Sequence, residues 1–145
     1  MKILTLAILW ISLALLPANV PQQPQIVTAA QVNGTWQSKF GTFRILAVGK
    51  QRLRVEWEGI YPYKLPDGSR MANTGEGRGI AIIEGIEARF KPEVSEDECE
   101  IRMKFIRGKL EVKQEGICGF GFNVSAAGTY RRVSSRKPKF VYEEG

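Results

Sequence analysis

The chain of 145 residues contains no histidine, and its only two aspartates are Asp67 and Asp97. Histidine is the commonest general base, the usual partner of a serine or cysteine nucleophile, and the commonest metal ligand. Its absence argues against an enzyme, and the sequence offers no catalytic residue, no metal site and no cofactor site. A hydrolase that uses a pair of glutamates is the remaining enzymatic alternative. It is not favoured, because Arg44 is placed to neutralise Glu56, one member of the pair formed by Glu56 and Glu58.

Cysteine is also scarce, with only Cys99 and Cys118 in the chain. Two cysteines without a histidine fall short of the four ligands that zinc usually takes. In an oxidising compartment such a pair forms a disulfide, and two buried free thiols are the alternative. We therefore predict a disulfide between Cys99 and Cys118.

Long hydrophobic runs are limited to one segment, residues 3–16, which follows a short positive start and ends at Pro17. The run is shorter than the roughly 20 residues of a transmembrane helix, and the pattern is typical of a secretory signal peptide. An uncleaved membrane anchor is the alternative. We assign residues 1–18 to the signal peptide, with residue 30 as the latest cleavage point, and residues 19–32 to a polar leader. The expected location is secreted or periplasmic, without a stable membrane span after cleavage.

Amphipathic helices of three turns are missing from the pattern, and apolar residues instead alternate with polar ones between glycine-containing turns. This pattern predicts three antiparallel hairpins, which join residues 42–48 to 52–58, 79–83 to 86–90, and 99–107 to 110–118. Registers that gather the apolar side chains on one face align Phe43 with Trp57, Val48 with Arg52, Ala81 with Ala88, Phe105 with Val112, and Cys99 with Cys118. The third register follows from a turn at Gly108-Lys109.

Two further strands stand near the ends of the domain, at Gly34-Thr35-Trp36 and Gly128-Thr129-Tyr130. First and last strands often pair to close a barrel, which removes the exposed edges. The sequence therefore predicts an all-β fold, a small antiparallel barrel of about eight short strands over residues 33–133. A flattened β-sandwich is the alternative. Residues 134–145 form a basic and then acidic C-terminal tail, interpreted as a solvated and partly frayed terminus.

The stretch 57–68 is a long connection that carries several aromatic residues and two prolines. Binding residues gather on loops held by a rigid scaffold, and tyrosine is a common anchor. The candidate binding residues are Tyr61, Tyr63, Lys64 and Arg70. The alternative is that Tyr61 and Tyr63 cover the open end of the core.

The signal peptide, the Gly34-Thr35-Trp36 start, the cysteine pair and the closing Gly128-Thr129-Tyr130 form a recognisable layout. It resembles the small exported β-barrels of bacteria, including the lysozyme-inhibitor type and lipocalin-like domains. The lipocalin-like opening implies that Trp36 plugs one end of the barrel and that a late arginine, Arg131 or Arg132, lies over it. No inhibitory serine or lysine of the family matches, so none is assigned.

These observations predict an exported, non-enzymatic binding module, inhibitor-like in type and expected to be a monomer. The net charge of +6 and the basic tail favour a protein or an anionic envelope component as the partner. Nucleic acid is not expected as the partner of an exported protein. The alternative is a carrier of a small apolar ligand inside the barrel. Large side chains are expected to fill that space instead, namely Phe43, Trp57, Phe90, Met103 and Phe105.

Overall fold

The computed structural model describes residues 26–95 and 98–142, so the signal peptide assigned to residues 1–18 lies outside the described residues. Within these ranges, no helix has the length and hydropathy that crossing a membrane requires. The described part contains one helical turn and eight strands. These are α1 (Ala29–Val32), β1 (Gly34–Gln37), β2 (Gly41–Gly49), β3 (Arg52–Lys64), β4 (Arg70–Glu84), β5 (Glu87–Phe90), β6 (Glu100–Ile106), β7 (Lys109–Glu115) and β8 (Gly128–Ser134).

The eight strands form one closed antiparallel barrel in which each strand pairs with its neighbours in the sequence. Closure comes from β1 and β8, which align Trp36 with Arg132. The prediction of an all-β barrel closed by its first and last strands is confirmed. A closed sheet leaves no strand edge free along the barrel wall, so the flattened sandwich is excluded.

The first hairpin, β2–β3, has the predicted register through most of its length. Phe43 pairs with Trp57 and Arg44 with Glu56. Near the turn the ladder shifts, and Gly49 rather than Val48 aligns with Arg52. The predicted alignment of Val48 with Arg52 is therefore wrong, because a β-bulge places one extra residue on β2.

The second hairpin, β4–β5, is displaced by two residues from the predicted register. Ala81 pairs with Phe90 rather than with Ala88. The connection is a two-residue turn, Gly85-Ile86, and Gly85 has the positive φ of 63° that glycine adopts without steric cost. Because the displacement is an even number of residues, the same side chains still face the interior.

The third hairpin, β6–β7, shows a displacement of the same size. Phe105 pairs with Leu110 rather than with Val112. The turn consists of Arg107 and Gly108, whose φ angles are 46° and 77°. Two consecutive positive φ values are typical of a type I′ turn, which matches the twist of the flanking strands. The prediction of a turn at Gly108-Lys109, which would be of type II′ with glycine first, is therefore wrong by one residue.

The predicted disulfide is present, although the cysteines lie just outside the ladder that was expected to align them. Cys99 precedes β6 and Cys118 follows β7, with 4.7 Å between their Cα atoms. Gly116 packs directly against the backbone of Glu98, where a Cβ atom would clash. This close approach lets the chain after β7 fold back toward Cys99.

The barrel interior is filled by side chains from all eight strands. Each is 5% exposed or less, and together they leave the polar alternates on the outside. The set comprises Trp36, Phe43, Ile45, Leu53, Val55, Trp57, Ala81, Ala88, Phe90, Ile101, Met103, Phe105, Leu110, Val112 and Tyr130. The five residues expected to occupy this space are all among them.

One polar network crosses the packed interior. Trp57 Nε1 donates to the Tyr130 hydroxyl at 3.1 Å, and this hydroxyl donates to the Ala126 carbonyl at 2.8 Å. Burial raises the pKa of Tyr130, so the phenol stays neutral at physiological pH. The network satisfies the polar atoms that two large aromatic side chains carry into the core.

The helical turn α1 and an arginine close one end of the barrel. Trp36 Nε1 donates to the Val32 carbonyl at 3.0 Å, and the guanidinium of Arg132 lies 5.6 Å from the centre of the Trp36 ring. Arg132 also donates to the carbonyls of Asn33 and Ala30, at 3.0 and 2.7 Å. The arrangement is the one that the resemblance implies, with Arg132 rather than Arg131 over the tryptophan.

Candidate functional site

The longest hairpin of the fold, β3–β4, continues past the barrel. Its ladder contains 13 aligned pairs, and the five pairs from Ile60–Thr74 to Lys64–Arg70 have no third strand beside them. The last pair that β3 makes with β2 is Gly59 with Gly41. We call residues 60–74 the hairpin extension.

The four predicted binding residues all lie on the hairpin extension. Lys64 pairs across the two strands with Arg70, whereas Tyr61 and Tyr63 lie two residues apart on one face of β3. The stretch 57–68 was predicted as a loop because of its prolines. The stretch is mostly strand. Pro62 is compatible with this strand because β3 has a free edge there, so the missing N–H interrupts no ladder.

The tip of the hairpin extension carries charge of both signs. The carboxylate of Asp67 accepts hydrogen bonds from the Ser69 hydroxyl at 2.6 Å and from the Ser69 amide at 2.9 Å. These bonds lower the pKa of Asp67 and hold it ionised. Lys64 and Arg70 make no ion pair with any residue in 26–95 or 98–142. The two cations are therefore available to a partner.

Sequence reasoning missed the apolar residues of this region. Four of them are between 39% and 77% exposed, namely Ile60, Leu65, Met71 and Phe122. Phe122 belongs to the loop after Cys118, and its carbonyl accepts a hydrogen bond of 2.8 Å from the Asn73 side chain. Met71 has the parity of the core residue Ala81 on β4, so only the length of the paired ladder shows that it lies beyond the core. Ile60 has the parity of the outer face of β3, and Leu65 lies in the turn after it.

In the alternative interpretation, Tyr61 and Tyr63 cover the open end of the core. Phe120 covers this end instead. Its ring centre lies 4.5 Å from that of Trp57, and the side chain is 5% exposed. Gly75 lies directly beneath Phe120. A Cβ atom at position 75 would clash with the backbone and the Cβ atom of Phe120. Tyr61, by contrast, remains 40% exposed.

A second surface lies on the barrel wall, where the C-terminal tail crosses the outer faces of β3 and β4. The buried carboxylate of Glu56, 5% exposed, accepts hydrogen bonds from the amides of Val141 at 2.8 Å and Tyr142 at 3.2 Å. The guanidinium of Arg54 lies 4.0 Å from the centre of the Phe140 ring. The interpretation of the tail as a frayed terminus is wrong for residues 138–142, because these residues dock on the barrel.

Two more side chains hold the end of the described tail. The Tyr142 hydroxyl donates to Glu76 at 2.8 Å, and the guanidinium of Arg78 lies 4.5 Å from the centre of the Tyr142 ring. The hydrogen bond to a carboxylate and its negative charge raise the pKa of Tyr142. We call the surface formed by Arg54, Glu56, Glu76 and Arg78 the tail groove.

The glutamate pair considered for hydrolysis is engaged in other contacts. Arg44 was expected to neutralise Glu56, but it bonds to Glu58 at 2.9 Å. Glu56 is paired instead with Arg54, at 3.8 Å, and accepts hydrogen bonds from the tail amides. Within residues 26–95 and 98–142, no group of three or more acidic or cysteine side chains is arranged to hold a metal ion.

Comparison of the chain with protein-family models, with curated proteins and with solved structures finds no match. The hairpin extension and the tail groove are therefore the two features from which a function can be argued. The first offers exposed aromatic, aliphatic and cationic side chains to another molecule. The second is occupied by the chain itself.

Proposed function

We propose that this protein is an exported, non-enzymatic binding module of the lipocalin-like or lysozyme-inhibitor-like kind, which inserts its hairpin extension into a cleft of a partner protein. The observation that carries the proposal is the run of five strand pairs without a third strand. Such a ribbon is narrow, and it presents side chains on both faces. These properties suit insertion into a concave site better than contact with a flat one.

The side chains of the hairpin extension match the usual composition of a binding surface. Aromatic residues, methionine and arginine are enriched at protein interfaces, and Tyr61, Tyr63, Met71 and Arg70 are of these types. The aligned cations Lys64 and Arg70 favour a partner whose cleft carries carboxylates, because opposite charges guide association and fix orientation.

The disulfide and the packed interior support the same proposal. A disulfide such as Cys99–Cys118 persists in oxidising compartments, which favours export to a secreted or periplasmic location. The carrier alternative needs internal space for a ligand. The aromatic, aliphatic and methionine side chains of the core occupy the position that a ligand would take, so binding is more readily assigned to the outside.

The proposal is tested by placing a photo-crosslinking phenylalanine derivative at Tyr61 in the full chain. Irradiation in envelope extract of the source organism is expected to join the protein to one partner, which mass spectrometry then identifies. Binding of the purified partner is next measured with the charge-reversed variant Lys64→Glu/Arg70→Glu. We expect at least a tenfold weaker affinity, because both cations face the partner.

A matched control is available on the opposite side of the barrel. Lys109 and Arg131 also form an exposed cross-strand pair of cations, on β7 and β8. The variant Lys109→Glu/Arg131→Glu changes the net charge by the same amount and is expected to bind like the original protein. Equal binding by the original protein and both variants, or an absence of any crosslink from position 61, contradicts the proposal.

A further inference from the structure

We propose that the tail groove is a peptide-binding site which this chain fills with its own residues 140–142, and that it accepts a bent segment with the pattern aromatic, aliphatic, tyrosine. The groove consists of side chains on the outer faces of β3 and β4. It shares no residue with the hairpin extension, so the inference does not depend on the function proposed above.

The centre of the groove recognises backbone rather than side chain. The two carboxylate oxygens of Glu56 accept one N–H each, Oε2 from Val141 and Oε1 from Tyr142. Consecutive N–H groups that converge on one carboxylate are a feature of a turning segment, because successive N–H groups of an extended strand point to opposite sides. Val141 and Tyr142 form such a bend. Any peptide able to present two such donors meets this requirement, as in other modes that read the main chain of a ligand.

Glu56 takes its hydrogen bonds from the docked segment. With the tail docked Glu56 is only 5% exposed, and it lies between its cross-strand partners Arg44 and Arg78, with Arg54 at 3.8 Å. A buried carboxylate without hydrogen-bond donors is strongly unfavourable. The two tail amides therefore replace the water that this carboxylate would bind if the tail were away.

Sequence preference comes from the two aromatic positions. Arg54 stacks on the Phe140 ring and also donates to the Tyr142 carbonyl. Arg78 stacks on the Tyr142 ring, and Glu76 accepts the Tyr142 hydroxyl hydrogen. Guanidinium groups over aromatic faces are favourable contacts, and the Glu76 carboxylate distinguishes tyrosine from phenylalanine at the last position.

The tail behaves as a tethered ligand and not as part of the sheet. Residues 135–142 belong to no strand, and they follow directly after β8. A short tether keeps a ligand near its site at an effective concentration in the millimolar range. A segment of modest intrinsic affinity therefore stays bound, and an external peptide competes only when the tail is weakened.

The test uses the full chain carrying Phe140→Ala and Tyr142→Ala, which removes both aromatic contacts and leaves the groove intact. The probe is a fluorescein-labelled peptide with the sequence of residues 136–142 and an amidated end, followed by fluorescence polarisation. We expect the variant to bind the probe at least tenfold more tightly than the original protein, whose groove is occupied. A control peptide with alanine at both aromatic positions is expected not to bind.

Equal binding of the probe by the variant and the original protein overturns the proposal, as does equal binding of the control peptide. A second measurement decides the question if the double variant does not fold. In the original protein, hydrogen exchange of the Val141 and Tyr142 amides is expected to be at least tenfold faster than that of the barrel-wall amides. Exchange of the tail amides at the rate of global unfolding would show that the tail is an inseparable part of the fold.

Discussion

The substitution Tyr130→Phe tests the account of the barrel core most directly. It removes one oxygen atom and leaves the ring, whose centre lies 4.9 Å from that of Phe43, in place. Without the hydroxyl, the indole N–H of Trp57 loses its acceptor and the carbonyl of Ala126 loses a donor. Each buried polar group left unpaired costs roughly 1–3 kcal/mol. For the two groups together we therefore expect the free energy of unfolding to fall by about 2–6 kcal/mol.

Urea unfolding followed by tryptophan fluorescence measures this loss, with the oxidised disulfide kept in both proteins. The midpoint should fall while the slope of the transition stays constant, because the exposed surface of the unfolded chain is unchanged. Tyr63→Phe is the matched control, since the Tyr63 hydroxyl makes no hydrogen bond with any residue in the described ranges. Its effect is expected to stay within about 0.5 kcal/mol.

A loss of less than about 1 kcal/mol for Tyr130→Phe would refute the reasoning, because it would mean that the two groups are satisfied in another way. A loss of the same size for Tyr63→Phe would also refute it. In that case the effect would belong to tyrosine hydroxyls in general and not to the buried network.

Three further predictions follow from contacts described above. Replacing Cys99 and Cys118 with serine opens a loop of 19 residues, which chain entropy converts to a loss of about 3 kcal/mol in urea unfolding; no loss in oxidising buffer would contradict it. Arg132→Met removes charged hydrogen bonds such as that to the Asn33 carbonyl, and we expect the free energy of unfolding to fall by about 2 kcal/mol. An unchanged midpoint of urea unfolding would show that the contacts of Arg132 over Trp36 do not stabilise the barrel. The pKa of Tyr142 is raised in the folded protein. The docking of Tyr142 is therefore fully stabilising below the ordinary tyrosine pKa of about 10, and this stabilisation is lost as the pH rises through the raised pKa. Absorbance at the phenolate band should show a tyrosine that titrates late and that is missing from the Tyr142→Phe variant.

The fold was predictable because its signals are local and repeated. Period-two alternation identified the strands, and the first hairpin followed from placing Phe43 and Trp57 on one face. The third hairpin was displaced because Arg107 adopts a positive φ of 46°, which non-glycine residues rarely do. An arginine carries no turn signal of the kind that Gly108 provides, so the turn was placed one residue too late.

The candidate site was predictable only in part, for two different physical reasons. The choice of Tyr61, Tyr63, Lys64 and Arg70 as binding residues rests on residue type and stays a prediction. Their strand conformation was not foreseen, because it depends on a free edge that tolerates Pro62. The docking of the tail depends on contacts such as that between Glu56 and Val141, which are 85 residues apart. No local pattern encodes such a contact, because it exists only after the barrel has formed.

The pairing of β1 with β8 determines when the molecule can finish folding. Residues 35–37 of β1 pair with residues 131–134, which are made almost 100 positions later. Until then a growing chain has two open sheet edges and no complete core, and the loop that must close is nearly as long as the domain itself. A chain with this strand order therefore cannot close its barrel before residues 131–134 have been made, however early its first seven strands are complete.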